Sequence, residues 1–216
     1  MVFKDRTDAG CKLAEKLVEY RDQNPIVLAL PRGGVPIGYE ISKRLNAPLD
    51  VLVVRKLGAP LHPEFGIGAI APGVKILDKE VIENLGISED DIARIEKKER
   101  EELNRRIKEY RGSATVLDIK NKTVILVDDG LATGVTAKAA IKAILNQHPQ
   151  KLIVAMPVCA SDAIEGIRSL VRPLKDKVIY LSTPHDFSSV GIWYETFDQV
   201  SDLEVINLLF SALHEG

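Results

Sequence analysis

The chain has 216 residues, 45% of them hydrophobic and 28% charged, with 29 Lys and Arg set against 31 Asp and Glu. That length carries a substantial core, and the near balance of charge argues against nucleic acid as a main partner, because no basic field covers the chain. No apolar run approaches a membrane span and no basic-then-apolar leader opens the sequence, so a cytoplasmic protein is expected, with Cys11 and Cys159 as free thiols.

Asp8 is placed to cap a helix running to about Tyr20, with Leu13, Leu17 and Val18 as its apolar stripe, and Asn24-Pro25 stops it. Ile26–Leu30 is a continuous apolar strand of the kind found in parallel sheets. A helix with Pro36 near its first turn runs towards Asn46, and Val51–Val54 reads as the second strand, which completes a βαβ unit. Residues 55–75 are dense in glycine and proline and read as a long connection, with a short strand near Phe65–Ile70. Residues 78–111 are helical and highly charged: Asp78 opens one helix, Gly86 ends it, and Ser88–Asp91 has the form of a cap for the next. Acids and bases alternate there over a thin apolar stripe of Ile92, Ile95, Leu103 and Ile107, the pattern of a solvated helical hairpin.

Strands follow at Thr123–Val127, Leu152–Pro157 and Val178–Leu181, with helices at Thr136–Asn146 and Ser161–Leu170 between them. This alternation predicts an α/β fold, a doubly wound and mostly parallel sheet in one domain spanning 1–216, with the helical insertion at about 78–111. Right-handed crossovers would place the carboxyl ends of the strands along one edge. Residues 183–200 are irregular, and Asp202–His214 is an amphipathic last helix.

Three motifs fall at strand ends. Val124–Val127 leads into Asp128-Asp129, then into Gly130-Leu131-Ala132-Thr133-Gly134-Val135-Thr136, and then into a helix. Such a loop turns backbone N–H groups and the Thr133 and Thr136 hydroxyls towards one point, and the helix dipole adds positive potential there. It can hold a phosphate monoester, while the acids accept hydrogen bonds from sugar hydroxyls or hold a hydrated cation. Arg32-Gly33-Gly34 follows the first strand; its glycines let the backbone approach an anion and its arginine is a planar phosphate donor. Arg55 and Lys56 form a basic pair able to neutralise a diphosphate. His62, His148, His185 and His214 lack metal-ligand spacing.

Asp128–Thr136 resembles the phosphoribosyl pyrophosphate (PRPP) signature of the type I phosphoribosyltransferases. Arg32-Gly33-Gly34 is similar to the pyrophosphate loop of xanthine-guanine members, and Arg55-Lys56-Leu57-Gly58 and Glu64-Phe65-Gly66 to segments of adenine members. The resemblance covers about 24–200, and the insertion at 78–111 looks like that of an uncharacterised branch. It implies that PRPP lies along the sheet edge with its 5′-phosphate in the Gly130–Thr136 loop. Asp128 and Asp129 would hold the ribose, and Arg32, Gly33, Gly34, Arg55 and Lys56 the diphosphate with Mg²⁺, the metal being bound through PRPP and water. Asp128, Asp129, Glu64 and Lys56 are the implied catalytic residues, with Glu64 the candidate acid-base group.

The resemblance further implies a cis peptide at Pro31-Arg32 or Arg32-Gly33, a homodimer, and a hood at about 183–200. In that hood Phe187, Trp193 or Tyr194 would stack on a flat acceptor, while at least one of Trp193 and Tyr194 is expected to serve as core. Ala132 stands where hypoxanthine and guanine enzymes often carry an aspartate, which argues against a 6-oxopurine. The implied reaction transfers ribose 5-phosphate to a nitrogen acceptor, a nucleobase for preference, in nucleotide salvage. A PRPP-binding regulator, possessing an RNA-binding role in some relatives, is the alternative, and a PRPP or ribose-phosphate hydrolase with an open lid at 55–75 is a third reading.

Overall fold

The computed structural model describes residues 1–63, 65–112, 118–171 and 176–214. Its elements are α1 (Arg6–Leu17), β1 (Pro25–Ala29), α2 (Gly34–Leu45), β2 (Leu49–Val51), β3 (Arg55–Gly58), β4 (Gly66–Ala71), β5 (Val74–Leu77), α3 (Lys79–Asn84), α4 (Glu89–Arg111), β6 (Thr123–Val127), α5 (Val135–Leu145), β7 (Lys151–Val158), α6 (Ser161–Val171), β8 (Lys177–Ser182) and α7 (Asp202–His214).

Five strands form a parallel sheet in the order β2-β1-β6-β7-β8. Side chains alternate across a strand, so each strand feeds two cores. Val27, Ala29, Ile125, Val127 and Ile153 face α1, α2 and α7, where they meet Leu13, Ile37, Ile41 and Val205. Ile26, Leu28, Val124, Leu126 and Leu152 face the other way, onto Ile141 and Ile144 of α5 and Ile164 and Ile167 of α6. Burial on both faces accounts for the unbroken apolar runs of β1 and β6. Each fully buried Leu or Ile contributes about 1.5–3 kcal/mol. The doubly wound sheet is therefore as expected.

Three local expectations need correction. The cap of α1 is Asp5, not Asp8: the Asp5 carboxylate accepts the Asp8 N–H at 2.8 Å, while Asp8 pairs with Lys12 at 2.7 Å. A 3-10 turn, Val18–Gln23, then carries the chain to Asn24, whose left-handed φ of 47° ends it. The second parallel strand is Leu49–Val51, earlier and shorter than Val51–Val54; after the Leu52 N–H reaches the Ala29 carbonyl at 3.0 Å the chain leaves the sheet.

The largest departure is at 55–75. Instead of one long connection with a single strand, this stretch enters a second, antiparallel sheet, β3-β4-β5. Gly68 marks close contact between strands and not a loop: a Cβ there would lie 2.2 Å from the Ile76 carbonyl oxygen. Ala71 and Val74 pack on Ala143 of α5, which fixes this sheet to the main body.

The helical insertion is as expected in outline. Ser88 accepts the Asp91 N–H at 3.2 Å and caps α4. Leu103 and Tyr110 of α4 are buried, and the helix packs on β3 and α7. Among the described residues no helix is long and apolar enough to cross a membrane. The amino terminus pairs with the hood: the Phe3 N–H donates to the Trp193 carbonyl and the Glu195 N–H to the Phe3 carbonyl, both at 2.8 Å.

Candidate active site at the strand-order reversal

β1 and β6 are neighbours whose crossovers run in opposite directions, β1 through α2 to β2 and β6 through α5 to β7. Such a reversal opens a crevice beyond the carboxyl ends of the strands, where open α/β sheets bind ligands. The two loops that leave these strands are Leu30–Gly34 and Asp128–Gly134, and they touch. The Leu30 N–H donates to the Val127 carbonyl at 2.8 Å. A Cβ at Gly33 would stand 2.0 Å from Asp129 Oδ2, and one at Gly34 would stand 2.7 Å from the Val127 oxygen. Only glycine at both positions lets the Arg32 loop lie against the acidic pair. The Pro31–Arg32 peptide is cis, as the resemblance implied.

Asp128 and Asp129 are partly buried side by side. Burial, and then the charge of Asp129, holds the Asp128 carboxyl well above the ordinary carboxylate value, although the Asp129 N–H donates to Asp128 Oδ1 at 2.9 Å. Burial also raises Asp129, and Arg6 opposes it. The Arg6 guanidinium donates through Nε at 3.0 Å and Nη2 at 2.9 Å, both to Asp129 Oδ2. Neither of these Arg6 bonds falls on Asp129 Oδ1.

The loop after the acids has two parts. Leu131 is a scaffold: its N–H donates to the Val158 carbonyl at 2.9 Å, its carbonyl accepts from Ala160 at 2.8 Å, and its side chain is buried. Gly134, with φ of 75°, then opens α5 without a side-chain cap. Among the described residues the N–H groups of Ala132, Thr133 and Gly134 have no hydrogen-bond partner. Uncapped N–H groups at a helix start make a site for an anion. Thr133 is exposed, Val135 and Thr136 are half-buried, and Gly130 lies under the hood, where a Cβ would meet Val190 at 2.6 Å.

The expected cations are present but engaged. Arg32 lies 3.7 Å from Asp202 at the start of α7, and Asp202 also accepts the Tyr110 hydroxyl of α4. Burial and that carboxylate push the Tyr110 hydroxyl up to about 12. Arg55 opens β3 and does not end a parallel strand; it pairs with Glu99 of α4 at 2.6 Å. Lys56 follows on β3 with its stem across Gly66, where a Cβ would meet Lys56 Cε at 2.7 Å. Glu64 lies outside the described residues. Among those that are described there is no cluster of three or more His, Cys, Asp and Glu side chains able to hold a metal.

In the hood Tyr194 is core, its hydroxyl donating to the Asp129 carbonyl at 2.6 Å; burial, then the Asp129 charge, raises it above the ordinary phenol value. Trp193 is half-buried against the α1 and α2 side of the sheet, with its Nε1 buried and unpartnered among the described residues. Phe187 packs partly buried on the same core. Sequence reasoning missed Arg6, Phe197, Glu99 and Asp202. Arg6 is 123 positions from Asp129, so no local pattern connects them.

Comparison with known proteins agrees with this geometry. A family model described as a phosphoribosyl transferase domain matches residues 4–192. A Mycobacterium tuberculosis protein provisionally named a phosphoribosyl transferase is 39% identical over 212 residues, covering 98% of this chain and 47% of its own length. The chain thus spans about half the length of the curated relatives it matches first. The bifunctional protein PyrR of Pediococcus pentosaceus is 30% identical over 132 residues, covering 61% of this chain and 71% of that protein. The crystal structure of TT1426 from Thermus thermophilus superposes with a TM-score of 0.81 at 36% identity, covering 98% of this chain and 99% of that one. With the acidic pair, the glycine loop and the helix start all inside the matched span, this chain belongs to the phosphoribosyl transferase domain family.

Proposed function

We propose that this chain binds PRPP with Mg²⁺ and transfers its ribose 5-phosphate group to a nitrogen acceptor, a nucleobase for preference, releasing diphosphate. The observation that carries this reading is the packing of the Arg32-Gly33-Gly34 loop directly on Asp128-Asp129, beside the uncapped start of α5. The start of α5 offers N–H groups to a phosphate, the acidic pair offers carboxylates to ribose hydroxyls, and Arg32 on the adjoining loop offers a cation to a diphosphate. Gly130, Ala132, Thr133, Gly134, Val135 and Thr136 take the 5′-phosphate, with Leu131 fixing the loop from beneath. Trp193 belongs to the hood over the acceptor, and Glu64 is kept as the candidate acid-base group.

The bond from ribose carbon 1 to the diphosphate oxygen breaks and a bond to the acceptor nitrogen forms. Positive charge develops on the sugar, which the Asp128 and Asp129 carboxylates offset, while Arg32, Arg55 and Lys56 stabilise the departing diphosphate. Arg55 and Arg32 exchange Glu99 and Asp202 for phosphate oxygens when substrate enters. Asp128 and Asp129 are hard oxygen donors of the kind Mg²⁺ takes, and they fit a hydrated ion that arrives on the diphosphate. When bound, the metal neutralises charge on the leaving group.

Pairing along α4 supports a transferase over a nucleic-acid-binding regulator: Arg94, Arg100, Arg105 and Arg106 each meet an acid of the same helix. The test is incubation with PRPP and Mg²⁺ against purines, pyrimidines and other nitrogen acceptors, following diphosphate. Acceptor-dependent release supports transfer. Release without any acceptor indicates a hydrolase, and binding without release indicates a regulator. Asp129→Asn should lower turnover by about a hundredfold or more with the fold intact; unchanged turnover would overturn the ribose assignment.

A further inference from the structure

Arg6 sits in a setting that the catalytic reading does not use. Its Nε and Nη2 grip one oxygen of Asp129, its Nη1 donates to the Asp198 carbonyl at 2.7 Å, and its Cζ lies 3.9 Å from the centre of the Phe197 ring. Phe197 in turn stacks on Tyr194 at 5.0 Å, and Tyr194 on Phe3 at 5.4 Å. The Tyr194 hydroxyl holds the Asp129 carbonyl, so the backbone and the side chain of Asp129 are both tied to the same aromatic stack. The Arg6 and Asp129 side chains are only 12% and 16% exposed, so this is not a surface ion pair. Both Arg6 bonds to the carboxylate fall on Oδ2, the oxygen against which Gly33 presses most closely.

We propose that Arg6 is a positioning residue for the sugar site: by holding Oδ2 it fixes the Asp129 carboxylate so that Oδ1 alone faces the ribose hydroxyls, and through Phe197 it locks the hood to the same acid. The inference rests on the PRPP reading. A planar fork stacked on an aromatic face suits this task, since two donors and the ring define one orientation, which a lysine ammonium does not. A carboxylate with one oxygen committed accepts a sugar hydroxyl in a set direction, and a site built that way rejects a sugar lacking the hydroxyl.

The test is calorimetry of the full chain with ribose 5-phosphate, its 2-deoxy and 3-deoxy analogues, and inorganic phosphate. The wild-type protein is expected to favour ribose 5-phosphate over at least one deoxy analogue by about tenfold or more. Arg6→Met is expected to cut that preference by about fivefold or more while keeping wild-type affinity for inorganic phosphate, which reports on the anion-binding groups and not on the sugar site. Arg6→Lys should recover only part of the preference. If Arg6→Met does not fold, Arg6→Lys and Phe197→Leu carry the test, both being expected to lower the preference. A preference that is unchanged or increased in these variants, or a parallel loss of phosphate affinity, would overturn the role of Arg6 and leave the PRPP reading standing. A wild-type protein that binds neither ribose 5-phosphate nor PRPP would remove both.

Discussion

Gly33 shows how much a single hydrogen in place of a methyl group can decide. A Cβ there would lie 2.0 Å from Asp129 Oδ2, so Gly33→Ala must push the acidic pair and the Arg32 loop apart. That substitution is expected to weaken PRPP binding by about tenfold or more, corresponding to about 1.4 kcal/mol; unchanged affinity in titration calorimetry would mean that the loops are not in contact. Asp128 makes a complementary case. A carboxyl whose folded value is raised favours the folded state below the ordinary carboxylate range, and that contribution is lost as pH rises through the raised value. Burying this carboxyl therefore costs stability above the ordinary carboxylate range. Asp128→Asn keeps the Oδ1 acceptor for the Asp129 N–H and should raise Tm by about 2–4 °C, or roughly 1 kcal/mol, while weakening PRPP binding. A lower Tm would contradict the assignment of that burial cost. In the wild-type protein PRPP affinity should fall on acidification at a pH above the usual carboxylate range, because the hydroxyls need an ionised acceptor.

Among the elements, α4 has the most specific consequence. Its Glu99 occupies Arg55, and its Tyr110 shares with Arg32 the Asp202 of α7, so α4 and α7 each supply a stand-in acid for one of the cations assigned to the diphosphate. Glu99→Gln is expected to tighten diphosphate binding by up to about tenfold; weaker binding would mean that Glu99 holds Arg55 in its productive orientation. Elements also differ in how far they could be read from sequence. β1, β6 and α5 were legible because periodicity, buried runs and the Asp128–Thr136 signature are all local. The β3-β4-β5 sheet was not, because Gly66 and Gly68 have the appearance of loop punctuation until the Lys56 stem is seen 2.7 Å from a would-be Cβ at Gly66 and the opposing backbone 2.2 Å from one at Gly68. The cap of α1 shifted from Asp8 to Asp5 because both are acids within one turn, and only the extended backbone of Asp5 puts its carboxylate over the first N–H groups.

The molecule as a whole joins three distant parts of its sequence at one point. The amino-terminal segment pairs with the hood, the hood holds Asp129 through Tyr194, and the reversal of strand order brings the Arg32 loop onto the same acid. The motifs of the candidate site were visible one by one. Their support was not, since Arg6, Phe197 and Asp202 reach the site only through tertiary packing. The measurement that bears most directly on this assembly is a crystal structure of the wild-type protein soaked with PRPP and Mg²⁺. The account predicts the 5′-phosphate on the Ala132–Thr136 N–H groups, the ribose hydroxyls on Asp128 and Asp129 Oδ1, and the diphosphate towards Arg32, Arg55 and Lys56. PRPP bound elsewhere, or a crevice that stays without it at saturating concentration while Arg6 keeps Asp129, would contradict it.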